Sequence, residues 1–91
     1  MMKEVNIEKA ILYYYKNIEI GNAEIMMIFN VSNGTAVKKK QEVQKEMAKQ
    51  GKRSFYPHSV NTKFAYELWG IDINHYEYVH KHLKSLDIAM V

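Results

Sequence analysis

The chain has 91 residues, 47% of them hydrophobic and none of them cysteine. This predicts one small domain, residues 1–91, without disulfides or thiolate chemistry. The formal net charge is only +3, but seven basic residues oppose two glutamates between Ser32 and Arg53, which leaves +5 there and −2 elsewhere. No apolar run is long enough to span a bilayer, and the N-terminal residues lack an apolar signal region, so we expect a cytoplasmic protein without a membrane partner.

The first predicted element is a helix from Ile7 to about Lys16, with Asn6 as its N-cap. Its apolar residues recur at helical spacing on one stripe, formed by Ile7, Ile11, Tyr14 and Ile18. The three consecutive tyrosines Tyr13–Tyr15 cannot all face inward on a helix. We therefore expect a supporting helix that leaves at least one tyrosine hydroxyl in water.

The segment from Asn22 to Gln50 predicts two helices joined by a tight turn. Asn22 is the expected N-cap of the first helix, which ends at Phe29. Asn30–Gly34 is rich in turn-forming residues, and asparagine tolerates the left-handed backbone that such a turn needs. The second helix is expected from Thr35 to about Gln50, capped by Ser32 or Asn33. Its inner stripe is formed by Ala36, Lys40, Val43 and Met47.

These residues resemble the helix-turn-helix of bacterial and phage DNA-binding proteins, whose common core reads E-I-x-x-x-F-x-V-S-x-x-T-A. The chain is similar to winged members such as excisionases and MerR-like regulators, closely over about a third of its length. It departs from them at Met26, where a small residue is usual, and at Asn30, where glycine is common. The resemblance implies a sequence-specific double-stranded DNA-binding protein, acting as a transcriptional regulator or excision accessory protein of a phage or mobile element.

The resemblance also implies which residues contact DNA, because the start of the second helix enters the major groove in this motif. The positions expected to read bases are Ser32, Asn33, Gly34, Val37, Lys38 and Gln41. The positions expected to contact phosphates are Thr35, Lys39, Lys45, Lys49, Lys52 and Arg53. Asn33 has a second interpretation as a purely structural helix cap.

Residues 52–61 contain the only proline and have two interpretations. Either Ser54–Tyr56 and Ser59–Val60 form the strands of a small β wing, or the segment is a packed loop that buries Phe55 or Tyr56. The fold class is thus mainly α, a helix-turn-helix bundle of about five helices with an optional small wing.

Two helices are expected after this segment. The first runs over residues 62–69, from a cap at Asn61 or Thr62 to Trp69, and Gly70 ends it. The second begins with a capping box of Asn74 and Glu77 and runs to about Leu86. The last helix has an apolar stripe that is suited to packing or to a homodimer contact. This stripe is formed by Tyr76, Val79, Leu83, Leu86 and Met90.

We expect neither an enzyme nor a bound cofactor or metal ion. The histidines are not accompanied by cysteines or by repeated carboxylates that would complete a zinc site, and there is no glycine-rich phosphate loop or nucleophile motif. Two other functions stay open. One is an adaptor or inhibitor that uses the same fold to bind protein, and the other is single-strand or RNA binding through exposed tyrosines.

Overall fold

A computed structural model describes the backbone of residues 5–90 and the side chains of residues 5–82. Within these residues the chain is mainly helical, with five helices and a two-stranded antiparallel sheet, which confirms the predicted fold class. The elements in order are α1 Ile7–Lys16, β1 Glu19–Ile20, α2 Asn22–Phe29, α3 Asn33–Lys49, β2 Val60–Asn61, α4 Thr62–Trp69 and α5 Ile73–Met90.

Two helix starts agree with the sequence prediction because short polar side chains cap them locally. The side-chain oxygen of Asn6 accepts a hydrogen bond from the backbone N–H of Lys9 at 3.1 Å, and that of Asn61 accepts one from Phe64 at 2.9 Å. Each bond satisfies a backbone donor that the first helical turn leaves without a partner. Gly70, at φ 75°, ends α4 in the left-handed conformation, as predicted.

The start of α2 differs from the prediction. Gly21 is the N-cap residue, and Asn22 is already the first helical residue. The carboxylate of Glu24 accepts a hydrogen bond from the Gly21 backbone N–H at 2.8 Å. The Asn22 side-chain oxygen is buried and has no hydrogen-bond partner among the described residues. The expectation that Asn22 caps α2 was therefore wrong, because Glu24 reaches back to the cap from the first turn.

The start of α5 also differs. The helix begins at Ile73, and the side chain of Asp72 accepts a hydrogen bond from the His75 backbone N–H at 3.3 Å. The predicted capping box of Asn74 and Glu77 was wrong, because Glu77 instead accepts a hydrogen bond from the Tyr15 hydroxyl on α1. Glu77 thus fastens α5 to α1, and α5 extends to Met90 rather than ending near Leu86.

The small sheet is present, but its strands are not those of the predicted hairpin. Val60–Asn61 pairs with Glu19–Ile20, with Ile20 opposite Val60. Ser54–Tyr56 forms no strand, so the interpretation of residues 52–61 as a hairpin around Pro57 was wrong, although Val60 does lie in a strand. Ile20 and Val60 are both fully buried, and pairing across the molecule lets both side chains enter the core. The sheet therefore ties the segment before α2 to the segment before α4.

The core lies between α3 and the other helices. The predicted inner stripe of α3 is confirmed, since Ala36, Lys40, Val43 and Met47 are its buried residues. Elsewhere in the core, the hydroxyl of Tyr66 on α4 donates a hydrogen bond of 2.8 Å to the carbonyl of Ala10 on α1. Burial raises the pKa of this phenol well above its usual value, and the charge of the nearby Tyr13 adds to the effect.

The aromatic side chains fill the margin of this core. Trp69 is partly buried and meets Phe29 edge to face, with ring centroids 5.0 Å apart, so α4 packs against α2 through these two rings. Of the three consecutive tyrosines, Tyr13 and Tyr14 are half-buried and Tyr15 is exposed, as the helical spacing predicted.

Among the described helices, none is both long enough and apolar enough to cross a bilayer.

Candidate nucleic-acid interface

The turn between α2 and α3 has the geometry that the sequence predicted. Asn30 ends α2 in the left-handed region at φ 53°, the only positive φ among the described non-glycine residues. The backbone N–H of Val31 then donates back to the Met26 carbonyl at 3.2 Å. Ala36 is completely buried, and its small side chain lets α3 lie close against α2. The two helices therefore form a helix-turn-helix unit that holds α3 by one face.

The six residues predicted to read bases occupy the start of α3 and its outer side. Ser32 is the N-cap residue, its hydroxyl lies 3.4 Å from that of Thr35, and Asn33 follows as the first helical residue. The cap position therefore belongs to Ser32 and not to Asn33. Lys38 and Gln41 lie three residues apart, so they share a face of the helix. All six are exposed except Val37, which is half-buried.

Four of the residues predicted to contact phosphates continue this surface. Lys45 and Lys49 lie one and two turns beyond Gln41, and Lys52 and Arg53 follow in the segment that leaves the helix. All four are exposed. Lys49 lies 3.4 Å from the carboxylate of Glu46, and the ammonium of Lys52 lies 4.8 Å from the centre of the Phe64 ring. We call Lys38, Gln41, Lys45 and Lys49 the outer face of α3.

Two lysines of the same run lie elsewhere. The ammonium of Lys39 lies 4.3 Å from the centre of the Phe29 ring, so this residue is turned toward α2 and away from the outer face. Lys40 belongs to the buried inner stripe and is only 8% exposed. The consecutive residues Lys38, Lys39 and Lys40 therefore point in three directions, and the first alone lies on the outer face.

Residues 52–59 form a loop beside α3. One acidic residue that is distant in sequence holds this loop by hydrogen bonds. The Glu19 carboxylate accepts hydrogen bonds from the backbone N–H groups of Phe55 at 2.5 Å and Tyr56 at 3.2 Å. It also accepts one from the Ser59 hydroxyl. On the other side, the amide of Gln44 donates to the Pro57 carbonyl at 3.2 Å. We call residues 52–59 the anchored loop.

The ionised form of Glu19 is the one that holds this loop. Partial burial alone would raise the pKa of the Glu19 carboxyl, but the hydrogen bonds from Ser59, Phe55 and Tyr56 favour the charged form and lower the pKa below its usual value. A group with a lowered pKa contributes its stabilisation above the unfolded-state pKa and loses it as the pH falls through the folded-state pKa. The anchor is therefore complete at neutral pH.

The anchored loop exposes the side chains of Phe55 and Tyr56, which were predicted to lie in a strand or in the core. Phe55 is 84% and Tyr56 is 69% exposed. Of the two interpretations of this segment, the loop is therefore right, but the burial of Phe55 or Tyr56 that went with it was wrong. Glu19 and Gln44 were not predicted to be part of the site. Glu19 is separated from Phe55 by 36 residues, and no local pattern signals such a contact. Gln44 belongs to the helix, but its partner depends on where the loop lies.

The histidines and acidic residues near this surface do not form a metal-binding group in the described part of the chain. Within the part of the chain whose side chains are described, no three His, Cys, Asp or Glu residues are grouped so that they could hold a metal ion. The surface instead combines amide, hydroxyl and ammonium groups, which hydrogen-bond and attract anions. Groups of this kind are the ones that contact phosphates and base edges in protein–DNA complexes.

Comparisons with known proteins add no relative to this description. No protein-family model, no curated protein and no solved structure matches the chain.

Proposed function

We propose that the protein binds double-stranded DNA sequence-specifically, with the start of α3 in the major groove. The observation that carries the proposal is the division of α3 into two faces. Its apolar stripe is buried against the body of the protein, and its polar and basic side chains, including Lys38 and Gln41, are exposed on the opposite side. The major groove of B-DNA is wide enough to admit an α-helix.

The side chains on this surface match the chemistry of DNA in two ways. Asn33 and Gln41 carry amides that can pair with adenine, and Lys38 can donate to the acceptors of guanine. Lys45, Lys49, Lys52 and Arg53 carry charges that position a phosphate backbone without reading sequence. The positive charge of the chain is concentrated between Ser32 and Arg53, which is the distribution expected of a DNA-binding surface.

The biological role that fits best is that of a transcriptional regulator or an excision accessory protein of a phage or mobile element. This part of the proposal is supported by the resemblance of the Ile25–Ala36 segment to such proteins.

One short recognition helix contacts few base pairs, so we propose binding as a homodimer or with cooperativity. The C-terminal helix α5 is the proposed dimer contact, although Leu83, Leu86 and Met90 lie outside the residues whose side chains are described.

The alternative is an adaptor or inhibitor that uses the same surface to bind another protein. Fold alone does not decide between the two functions. They differ in duplex binding. A DNA-binding protein should bind duplex DNA through the exposed face of α3, whereas an adaptor should not.

The test compares two variants that remove the same charge from opposite faces of one helix. A duplex is first selected from a random-sequence library by gel shift, and binding is then measured for the wild type, Lys38→Met and Lys40→Met. Methionine is a good helix former, so both variants should keep α3. We expect Lys38→Met to weaken binding about 10-fold or more, in line with the loss of a direct base contact. Lys40→Met should change it less than about 2-fold, because Lys40 is buried.

Each other outcome has a distinct meaning. Equal losses in both variants would mean that overall charge, and not the outer face, determines binding. Salt-sensitive binding without any selected sequence would contradict sequence specificity. If the wild type binds no duplex at low salt, DNA binding by this chain is refuted and the adaptor function becomes the better account.

A further inference from the structure

The anchored loop lies beside the part of α3 that faces outward. Gln44, which donates to the Pro57 carbonyl, is three residues from Gln41 and seven from Val37, so the three side chains share one side of the helix. Phe29 of α2 meets α3 at Lys39, on the other side. The exposed face of α3 is thus bordered by α2 on one side and by the anchored loop on the other.

The loop is held in place although it has no regular secondary structure. Glu19 holds two of its backbone N–H groups and the Ser59 hydroxyl, and Gln44 holds one of its carbonyls. The Ser59 N–H also donates to the Tyr56 carbonyl at 3.3 Å, which closes the turn. A loop fixed at this many points has lost much of its conformational entropy before it meets any partner, so binding costs less.

The fixed backbone presents its two largest apolar side chains to water. Phe55 and Tyr56 are adjacent and mostly exposed. Burying an aromatic side chain stabilises a fold strongly, yet both of these side chains remain in water. Singly scattered exposed hydrophobic residues are common, whereas contiguous exposed apolar surface is typical of an interaction site. The adjacent pair Phe55 and Tyr56 forms such contiguous surface on a fixed loop.

The charge around this pair selects an anionic partner. Lys52 and Arg53 immediately precede Phe55, and both are exposed. No acidic residue occurs in the chain from Met47 to Tyr66, and the nearby carboxylate of Glu19 is already occupied by three donors of the loop. Lys52 lies over the Phe64 ring, but neither it nor Arg53 has an ion-pair partner among the residues whose side chains are described. An exposed aromatic pair beside two cations without acidic partners is suited to a base step flanked by phosphates.

We propose that Phe55 and Tyr56 form an apolar wedge that partly inserts between base pairs in the minor groove next to the major groove occupied by α3, and that this bends the duplex. The inference rests on the proposed function and extends it to deformation of the DNA. Apolar side chains that unstack a base step from the minor groove kink DNA toward the major groove. Lys52 and Arg53 contact the phosphates between the two grooves.

Two consequences follow for sequence preference and for Glu19. Pyrimidine–purine steps are the easiest to unstack, so the chain prefers such a step at the wedge although no polar group reads it. Glu19 does not touch DNA and acts as a positioning residue, because its carboxylate fixes the direction of the Phe55–Tyr56 backbone. Loss of Glu19 therefore affects bending more than phosphate contacts.

The experiment measures affinity and bending on the same selected duplex, labelled at both ends for fluorescence energy transfer. The wild type is compared with Phe55→Ala/Tyr56→Ala and with Glu19→Gln. Tyr78→Ala is the matched control, since Tyr78 is an aromatic residue of similar exposure on α5 and is not a member of the apolar stripe of α5 that contains Tyr76 and Val79. The double variant removes only exposed side chains, so the fold is expected to survive, and circular dichroism verifies this.

We expect the wild type to shorten the end-to-end distance, and the double variant to lose most of this change together with about 10-fold in affinity. Glu19→Gln should reduce bending while keeping the wild-type salt dependence of binding, and Tyr78→Ala should behave as the wild type. Binding of the wild type without bending, or unchanged bending by the double variant, would overturn the wedge but leave duplex binding intact. A loss confined to single-stranded DNA would assign the aromatic pair to stacking on unpaired bases instead. If the wild type does not bind duplex at all, the proposed function itself fails.

Discussion

The side-chain amide of Gln44 donates a hydrogen bond to the backbone carbonyl of Pro57 at 3.2 Å, and this bond joins α3 to the anchored loop. Helix α3 and the loop beside it are therefore joined by a side-chain contact that a single substitution can remove.

Gln44→Ala should loosen the loop without unfolding α3. An exposed hydrogen bond of this kind contributes about 0.5 kcal/mol, so we expect amide exchange of Phe55, Tyr56 and Ser59 to become roughly 2-fold faster. The measurement is hydrogen exchange by NMR. Gln41→Ala is the control, because it removes the same side chain from the same helix at an exposed position. If both variants changed loop exchange equally, the bond to Pro57 would not be what holds the loop.

Asn30 adopts the left-handed conformation at φ 53°, and this makes the turn before α3 sensitive to the residue type. A side chain with a Cβ costs about 1 kcal/mol there, whereas glycine adopts this region freely and asparagine more readily than most residues. Asn30→Ala should therefore lower the free energy of unfolding by about 1 kcal/mol, and Asn30→Gly should leave it unchanged or slightly raised. Urea unfolding measures both. Equal destabilisation by the two substitutions would show that the asparagine side chain, and not the backbone angle, is what the turn requires.

Gly34 lies in the first turn of α3, where a Cβ atom would meet no atom within 4 Å. The fold therefore does not require glycine at this position. Gly34→Ala should raise the free energy of unfolding by up to about 1 kcal/mol, since alanine is the better helix former. If DNA approaches the helix backbone here, the same variant should weaken duplex binding. A variant that is more stable and binds as tightly as the wild type would remove Gly34 from the set of DNA-contacting residues.

Lys40 is buried in the inner stripe, and no acidic side chain in the described part of the chain forms an ion pair with it. Its aliphatic stem packs in the core and its ammonium must reach toward water. Lys40→Met should therefore raise the free energy of unfolding by about 1 kcal/mol, because the apolar contacts are kept and the partly desolvated charge is removed. Thermal and urea unfolding measure the change. A loss of stability instead would mean that the ammonium has a stabilising role that its burial does not reveal.

What could be predicted from the sequence was local. The cap of α1 at Asn6, the stripe that contains Ala36 and Val43, and the left-handed turn at Asn30 each depend on residues within a few positions of one another. Helical periodicity and capping chemistry make such features readable. The misplaced caps at Asn22 and Asn74 are failures at this same local scale, because each helix begins slightly earlier. The Ile25 N–H donates to the Gly21 carbonyl as part of α2, and Asp72 accepts the bond from the His75 N–H at the start of α5.

The parts that could not be predicted depend on contacts between distant residues. Val60 pairs with Ile20, 40 positions earlier, and not with a neighbouring strand. Glu19 is an unremarkable acid in its own segment, and its role follows only from the position of the loop that it holds. The residues expected to contact bases and phosphates could be assigned to α3 from the motif. That the anchored loop lies along one side of α3 could be seen only in the structure.

The most direct measurement of the central claim is the salt dependence of duplex binding by the wild type. Lys45, Lys49, Lys52 and Arg53 are the four exposed cations proposed to contact phosphates. Four such contacts predict that the logarithm of the association constant falls with the logarithm of salt concentration with a slope of about −3 to −4. Lys52→Met should make that slope shallower by about 1. A slope near zero, or no binding at low salt, would contradict the account of the outer face of α3 as a DNA-binding surface.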